Sequence, residues 1–342
     1  MSISKLPMFR FLLPCLCLLP FACEREQAGP ATDPYAFVAP DHFPPVAYDF
    51  ERNPVTESGF KLGKRLFEDP RLSRDGSVSC SNCHQQVMAF ADPQHGLSIG
   101  IEDRVGTRNA PGLFNLAFRS EYMWDGGVVH LDFSAIPAIE SEVEMDNTLA
   151  VIVARLRQDA TYPAAFQQAF GQDTVTSGLM LQALSQYQAM LISDRSKYDD
   201  VLAGRNGAVF SAAEAQGEKL FREQCAGCHD GPLQTDNSYR NNGLAAGNPD
   251  PGREIITHDP ADRAKFRVPS LRNIARTPPY MHDGRFQSLE DVLDHYTQGI
   301  SPSPTLDARL EDPIVLTPEE RLALITFLET LTDWEFLADP RF

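Results

Sequence analysis

Positive charge is what this 342-residue sequence lacks most: 30 Lys and Arg stand against 47 Asp and Glu, for a formal net charge of −17. That deficit argues against nucleic acid and anionic membrane surfaces as partners. It suits a basic protein partner, and equally a surface whose acidity serves only solubility. Long apolar runs are also missing. The longest, from Phe11 to Cys23, is interrupted by prolines and falls short of the ~20 residues a bilayer-spanning helix needs. Preceded by Lys5 and Arg10, it fits the apolar core of an export signal over residues 1–23. Alternating strand patterns are nearly absent, so a sheet-based core is not expected. Cysteine is scarce: of seven in all, Cys15, Cys17 and Cys23 fall in the export signal.

The four that remain are all in one kind of string. Cys80-Ser81-Asn82-Cys83-His84 and Cys225-Ala226-Gly227-Cys228-His229 are two copies of the attachment signature for c-type haem. Two thiols three residues apart each form a thioether to a haem vinyl group, and the adjacent histidine lands under the iron as its proximal ligand. One copy could be chance or half of a zinc site; two copies point to two covalent haems, held by His84 and His229. No cysteine is left for a structural disulfide, even though covalent haem attachment and the export signal both place the protein in the periplasm. Cleavage at Leu19-Pro20-Phe21-Ala22-Cys23 leaves two outcomes open, a lipid anchor on Cys23 or ordinary cleavage near Ala22. Without Lys5 and Arg10 the formal charge of the mature chain is −19.

The chain repeats itself. Pro111, Leu113, Asn115, Ala117, Tyr122, Met123, Asp125 and Gly126 recur 158 residues later as Pro269, Leu271, Asn273, Ala275, Tyr280, Met281, Asp283 and Gly284. Each haem string follows a Gly-x-x-Leu-Phe segment, Gly63–Phe67 and Gly217–Phe221. Ser211 with Glu214, and Thr317 with Glu320, read as capping boxes. The second predicts a helix whose apolar side is Leu322, Ile325, Leu328 and Leu331; residues 148–156 and 178–192 also read as helical, and 231–260 as loops. The expected fold is all-α: two cytochrome c-like lobes, each with one covalently bound c-type haem. The expected divisions are a signal at 1–23, a Pro-rich extended tether at 24–48, an N-terminal haem domain at 49–200 and a C-terminal haem domain at 201–342.

From about Gly59 to Tyr296 the sequence resembles the bacterial dihaem cytochrome c peroxidases and their MauG-type relatives. The resemblance rests on Arg108-Asn109-Ala110-Pro111, Trp124-Asp125-Gly126, Glu144-Met145 and Pro279-Tyr280-Met281-His282-Asp283-Gly284. It implies that the N-terminal haem meets hydrogen peroxide, that the C-terminal haem relays or stores electrons, and that Trp124 lies between them. It also implies that Glu144 is the distal acid/base. Cleaving a peroxide bond needs a proton taken from one oxygen and delivered to the other, which one carboxylate within reach can do. Without the family register, Glu140 and Glu142 would be equal candidates. The resemblance further implies a calcium ion held by Asn109, Thr277 and Pro279, largely through carbonyl oxygens.

Two positions depart from the peroxidase pattern. Where many family peroxidases carry a capping histidine, Ser98-Ile99-Gly100 is followed by Ile101, which cannot ligate iron, so the first haem is expected to be five-coordinate; His95 falls six residues early and reads as a loop histidine. Fourteen residues after His282, where many carry a methionine ligand, stands Tyr296, as in MauG-like enzymes. A phenolate favours oxidised iron and a thioether favours reduced iron. Met281 and His295 remain alternative ligands at that position. Arg108, Arg267 and Arg285 could pair with haem propionates or form surface ion pairs. The expected function is a peroxide-dependent oxidoreductase supplied by a small redox protein, a cytochrome c or a cupredoxin. One alternative is MauG-like oxidation of residues on a protein substrate; another is a dihaem electron carrier without catalysis. A homodimer is left open.

Overall fold

The computed structural model describes residues 1–2, 35–244 and 250–342. The expected export signal, with Cys15, Cys17 and the Cys23 anchor, and the first part of the expected tether lie outside the described residues. No helix among the described residues is long and apolar enough to cross a membrane.

The longer helices are α1 (Glu57–Phe67), α2 (Leu149–Gln158), α3 (Tyr162–Phe170), α4 (Ser177–Ala189), α5 (Lys197–Ala203), α6 (Ala212–Gln224), α7 (Leu289–Asp294) and α8 (Pro318–Glu329). Sheet is confined, among the described residues, to one two-stranded antiparallel pair, β1 (Tyr239–Arg240) with β2 (Phe266–Arg267). Both capping boxes form: Ser211 accepts from the Glu214 N–H and Thr317 from the Glu320 N–H, satisfying donors that a helix start leaves orphaned. Helix α2 covers the expected 148–156. Helix α4 begins where expected but ends at Ala189, because Met190 and Leu191 turn away into the core. Helix α8 follows its expected face in part. Leu328 and Leu331 are buried with Ile325 packed beside them, but Leu322 is 66% exposed, and Ala323, Leu324 and Phe327 complete the buried stripe. The 231–260 stretch is mostly loop but also holds β1 and a short turn of helix at Glu254–Thr257.

The repeated segments fold alike. Asn115 and Asn273 both adopt positive φ (56° and 58°), and each opens a 3₁₀ turn; Met123 and Met281 also have positive φ, 68° and 75°. Tyr122 and Tyr280 each donate their N–H to the residue six positions on, Val128 and Phe286. The two Gly-x-x-Leu-Phe segments have a shared reason too. A Cβ at Gly63 would overlap the Ala183 carbonyl on α4, and one at Gly217 would overlap the Ala323 carbonyl on α8. Each glycine therefore lets the helix before a haem string lie backbone-to-backbone on its partner, α1 on α4 and α6 on α8, with Leu66, Phe67, Leu220 and Phe221 buried alongside. Burial of each such side chain is worth roughly 1.5–3 kcal/mol.

Two of the expected divisions do not match the packing. Residues 35–48, expected as part of an extended tether, are docked: Phe43 and Tyr48 are buried against Leu116, Phe118 and Leu131, and the Ala47 and Tyr48 N–H groups both bond to the Ala117 carbonyl. Aromatic side chains outweigh the prolines that suggested a free spacer. The expected break at 200/201 falls inside α5, whose Tyr198 packs with Phe327 of the second half. The C-terminal end crosses back, placing Phe336, Leu337 and Phe342 in the first-half core beside Phe60 and Phe90. Between the halves Asp199 is fully buried and held bidentately by Arg272 at 2.6 and 2.8 Å, with His42 at 3.2 Å.

Candidate functional site

Cys80–Cys83 form a single helical turn, opened by Ser79 and Asn82 in a reciprocal cap, and the His84 N–H continues it onto the Cys80 carbonyl. The turn brings both thiols and the imidazole to one side of the chain. The His84 Nδ1 lies 2.7 Å from the Phe90 carbonyl, and His229 Nδ1 lies 3.1 Å from that of Pro269 and 3.3 Å from that of Gln234. Carbonyls only accept, so Nδ1 carries the proton in each ring and Nε2 keeps its lone pair. Burial also lowers both imidazoles below their usual range, which keeps them neutral, as an iron ligand must be. All four thiols are free of disulfides. Burial pushes Cys80 and Cys225 up to about 12 and Cys83 up to about 11.

On the first site the three candidate carboxylates separate. Glu140 and Glu142 are exposed, whereas Glu144 turns inward, and its Oε1 accepts a 2.8 Å hydrogen bond from the Ser98 hydroxyl. Burial raises the Glu144 carboxyl and the Ser98 bond opposes that rise. The carboxylate is near enough to Cys83 to add to the upward push that burial gives its thiol. The Ser98–Ile101 loop clamps this residue: the Ile101 N–H donates to the Glu144 carbonyl at 2.8 Å, and a Cβ at Gly100 would overlap the same backbone. Ile101 itself is wholly buried and has no ligating atom. His95 is 44% exposed and paired with Asp92 at 3.0 Å, in keeping with a loop histidine.

A large cavity opens on the second motif. Cys225, Cys228, His229, Met281 and Tyr296 line it, and from the first half so do Asn109, Pro111, Arg119 and Trp124. Trp124 donates its indole N–H to the Asn109 carbonyl at 2.9 Å and meets His282 edge-on at 6.5 Å. His282 in turn stacks on Phe266 at 3.6 Å, and burial takes its imidazole down to about 4. Trp124 and its repeat counterpart His282 therefore face each other across the junction of the halves. Tyr296 follows α7 on a widened π-turn, His295–Gly299, and lines the cavity; burial raises the phenol and the Asn242 amide opposes this. His295 turns elsewhere, bonding the Asn242 carbonyl at 2.9 Å through Nε2. Asn109, Thr277 and Pro279, expected around calcium, line the same cavity.

The donor set of this cavity fits haem. Arg267, 4% exposed on β2, has an Nη1 with no hydrogen-bond partner, and Arg119, also buried, has no acidic side chain among the described residues that shift its pKa. Burial, with Arg267 nearby, drives Arg119 well below the usual guanidinium range. Glu121, whose charge reaches Arg267, is itself bonded to Tyr239 and Arg253. Two neighbouring buried cations with no ion pair of their own among the described residues cost several kcal/mol, roughly, which an anionic occupant of the cavity would offset. The propionates of a haem are such anions. Arg108 and Arg285, the other expected partners, are instead committed to Asp125 and Asp250, and to Asp283. Arg119 gave no signal in the sequence. Its repeat counterpart is Thr277, and a single arginine is ordinarily a surface residue.

Comparison with known proteins gives a consistent result. The family model of di-haem cytochrome c peroxidases matches residues 57–207. The methylamine utilization protein MauG of Methylorubrum extorquens is 37% identical over 290 residues, spanning 82% of this chain and 79% of that protein. The cytochrome c551 peroxidase of Nitrosomonas europaea is 34% identical over 277 residues, 80% of this chain and 79% of that protein. Among solved structures, a MauG-like protein associated with microbial copper homeostasis superposes with a TM-score of 0.80 at 35% identity, covering 89% of this chain and 97% of the other.

Proposed function

Because the chain belongs to the di-haem cytochrome c peroxidase family, carries two c-type haems and is a peroxidase-type oxidoreductase, we propose that it uses hydrogen peroxide as oxidant at the N-terminal haem site while the C-terminal site relays or stores electrons. The haems, when bound, supply the redox chemistry by which peroxide takes up two electrons and becomes water. What supports the division of labour is one observation: the Glu144 carboxylate, half-buried and held by Ser98, lies beside the Cys80–His84 motif, clamped by a neighbouring loop whose Ile101 has no atom to offer iron.

The chain's own residues then take these parts. Cys80 and Cys83, with Cys225 and Cys228, anchor the two groups, and His84 and His229 ligate through Nε2, their Nδ1 protons being tied to carbonyls. Glu144 Oε1 is engaged by Ser98, so Oε2 takes the proton from one peroxide oxygen and returns it to the other. Burial, by raising the carboxyl, brings its affinity for that proton nearer to neutral pH. Trp124, with His282 edge-on to it and Phe266 stacked on His282, offers the aromatic connection between the sites. Arg119 and Arg267 would bind the propionates of a haem, and Tyr296 would ligate the second iron opposite His229. Asn109, Thr277 and Pro279 hold calcium between two cytochrome c-like lobes, each with its haem. The expected setting is the periplasm, reached through the signal at residues 1–23.

The electrons come from a small redox protein in the first reading. Tyr296 and Ile101 favour a second, MauG-like reading in which the oxidised pair acts on residues of a partner protein. Rapid steady-state consumption of peroxide with reduced cytochrome c counts for the first and against the second. The overall proposal is tested by spectra of the ferric holoprotein: one high-spin and one low-spin haem are expected, and two low-spin haems would mean an electron carrier.

A further inference from the structure

Asn242 has no part in the roles above, yet it stands at the point where the choice of ligand for the second iron is made. Its side-chain nitrogen lies 3.4 Å from the Met281 sulfur and 3.5 Å from the Tyr296 hydroxyl oxygen. An amide nitrogen carries two hydrogens, so one donor group addresses both candidate ligands at once. All three residues line the cavity with His229. The amide is also firmly mounted. The Asn242 carbonyl accepts from His295 Nε2 at 2.9 Å, and Asn241 beside it donates to Ser303 and Thr305, both at 2.9 Å. The ring next to Tyr296 in sequence is thereby bonded to the residue that donates to Tyr296.

The two acceptors are unequal. A thioether is a weak acceptor, whereas a phenolate is charged, and hydrogen bonds to charged acceptors are about twice as strong as neutral ones. The cavity wall is mostly apolar, so an anionic oxygen there depends on a nearby donor. An iron held by His229 would have one remaining ligand site for this cavity to fill, and it would take the phenol oxygen or the sulfur, not both. We propose that Asn242 is a positioning residue that biases the second haem towards Tyr296 and away from Met281, by donating to the ligated oxygen. The proposal rests on the reading of Tyr296 as the distal ligand.

The test uses the dihaem holoprotein and reads the ligand directly, by resonance Raman bands of iron-bound phenolate and by the midpoint potential of the second haem. Asn242→Leu keeps the size and removes the donor. The thioether-ligated fraction should rise by about tenfold, phenolate bands should weaken, and the potential should move upward. Asn242→Gln, which retains an amide, should recover part of the phenolate signal. If Asn242→Leu leaves bands and potential at wild-type values, the proposal is wrong. If it changes them and Asn242→Gln recovers nothing, cavity packing rather than donation is responsible, and the proposal is equally wrong. Should Asn242→Leu fail to hold two haems, Asn242→Ala, which only removes atoms, reads the same quantities. Tyr296→Phe separates the layers. An unchanged spectrum there removes the Tyr296 reading and this proposal with it, while a changed one beside a silent Asn242→Leu removes the proposal alone.

Discussion

The Ser98 hydroxyl and the Glu144 carboxylate, 46 residues apart in sequence, meet in a 2.8 Å hydrogen bond beside the first haem-attachment motif. The bond engages one carboxylate oxygen, Oε1. It also bears on the proton affinity of the group. Burial pushes the carboxyl up, and Ser98, by donating to the charged form, holds it back down.

A pH prediction follows with a definite sign. Glu144 must be charged to accept a proton, so the reaction with peroxide should fall on the acid side as pH drops through its raised pKa. Ser98→Ala removes a donor to the charged form, raises that pKa further and should move the acid limb to higher pH. A pH–rate profile of peroxide reduction checks this; a limb that stays put or moves to lower pH would show that another group controls it.

Glu144→Gln keeps the shape and the Ser98 contact but cannot transfer a proton. Peroxide turnover should drop by roughly 10²–10⁴-fold, the usual weight of a positioned acid/base group. The resting spectra of both haems should be unchanged, which separates a chemical loss from a structural one.

Arg267 carries a buried positive charge with an unpartnered Nη1. A cation near a haem favours the reduced, less positive iron, so Arg267→Met should lower the midpoint potential of one haem while leaving the other near its original value. Potentiometric titration of the holoprotein measures both.

Gly217→Ala places a methyl group against the Ala323 carbonyl, where α6 and α8 touch. Overpacking of this kind costs about 1–3 kcal/mol. The equivalent change at Gly63, against Ala183, should cost a similar amount, and denaturant unfolding of the two variants compares them directly.

Asp199 and Arg272 form a fully buried pair. Burial alone would raise the Asp199 carboxyl, but Arg272 and Ser196 outweigh it and the net direction is down. Its folded-state pKa therefore lies below the unfolded value. The stability it contributes is present above the unfolded carboxylate range and is lost as pH falls through the lower, folded pKa. Removing the partner in Asp199→Ala strands Arg272 and should cost about 3–5 kcal/mol, with most of the acid-side loss of stability abolished.

Much of this protein is local chemistry and could be read directly. Cys-x-x-Cys-His is a contiguous string, since one helical turn is enough to bring two thiols and an imidazole to one haem. Capping boxes at Ser211 and Thr317 act within four residues. The repeat of Asn115, Tyr122 and Met123 at Asn273, Tyr280 and Met281 prescribes the same turns twice, including the positive φ angles. These features depend on neighbours in sequence, so sequence alone determined them.

Other features needed the folded chain. Apart from the family resemblance, nothing in the sequence set Glu144 apart from Glu140 and Glu142; in the fold, Ser98 from a loop 46 residues away meets its inward-turned carboxylate. The tether-like prolines did not foretell that Phe43 and Tyr48 would dock, nor did the end of the chain announce that Phe342 would return to the first core. Arg119 looked like any surface arginine until it was found buried with Arg267 around a cavity, and Asn242 had no pattern to mark it at all. Burial and long-range approach decide the cost of a charge and the reach of a donor, and neither quantity exists until distant segments have packed.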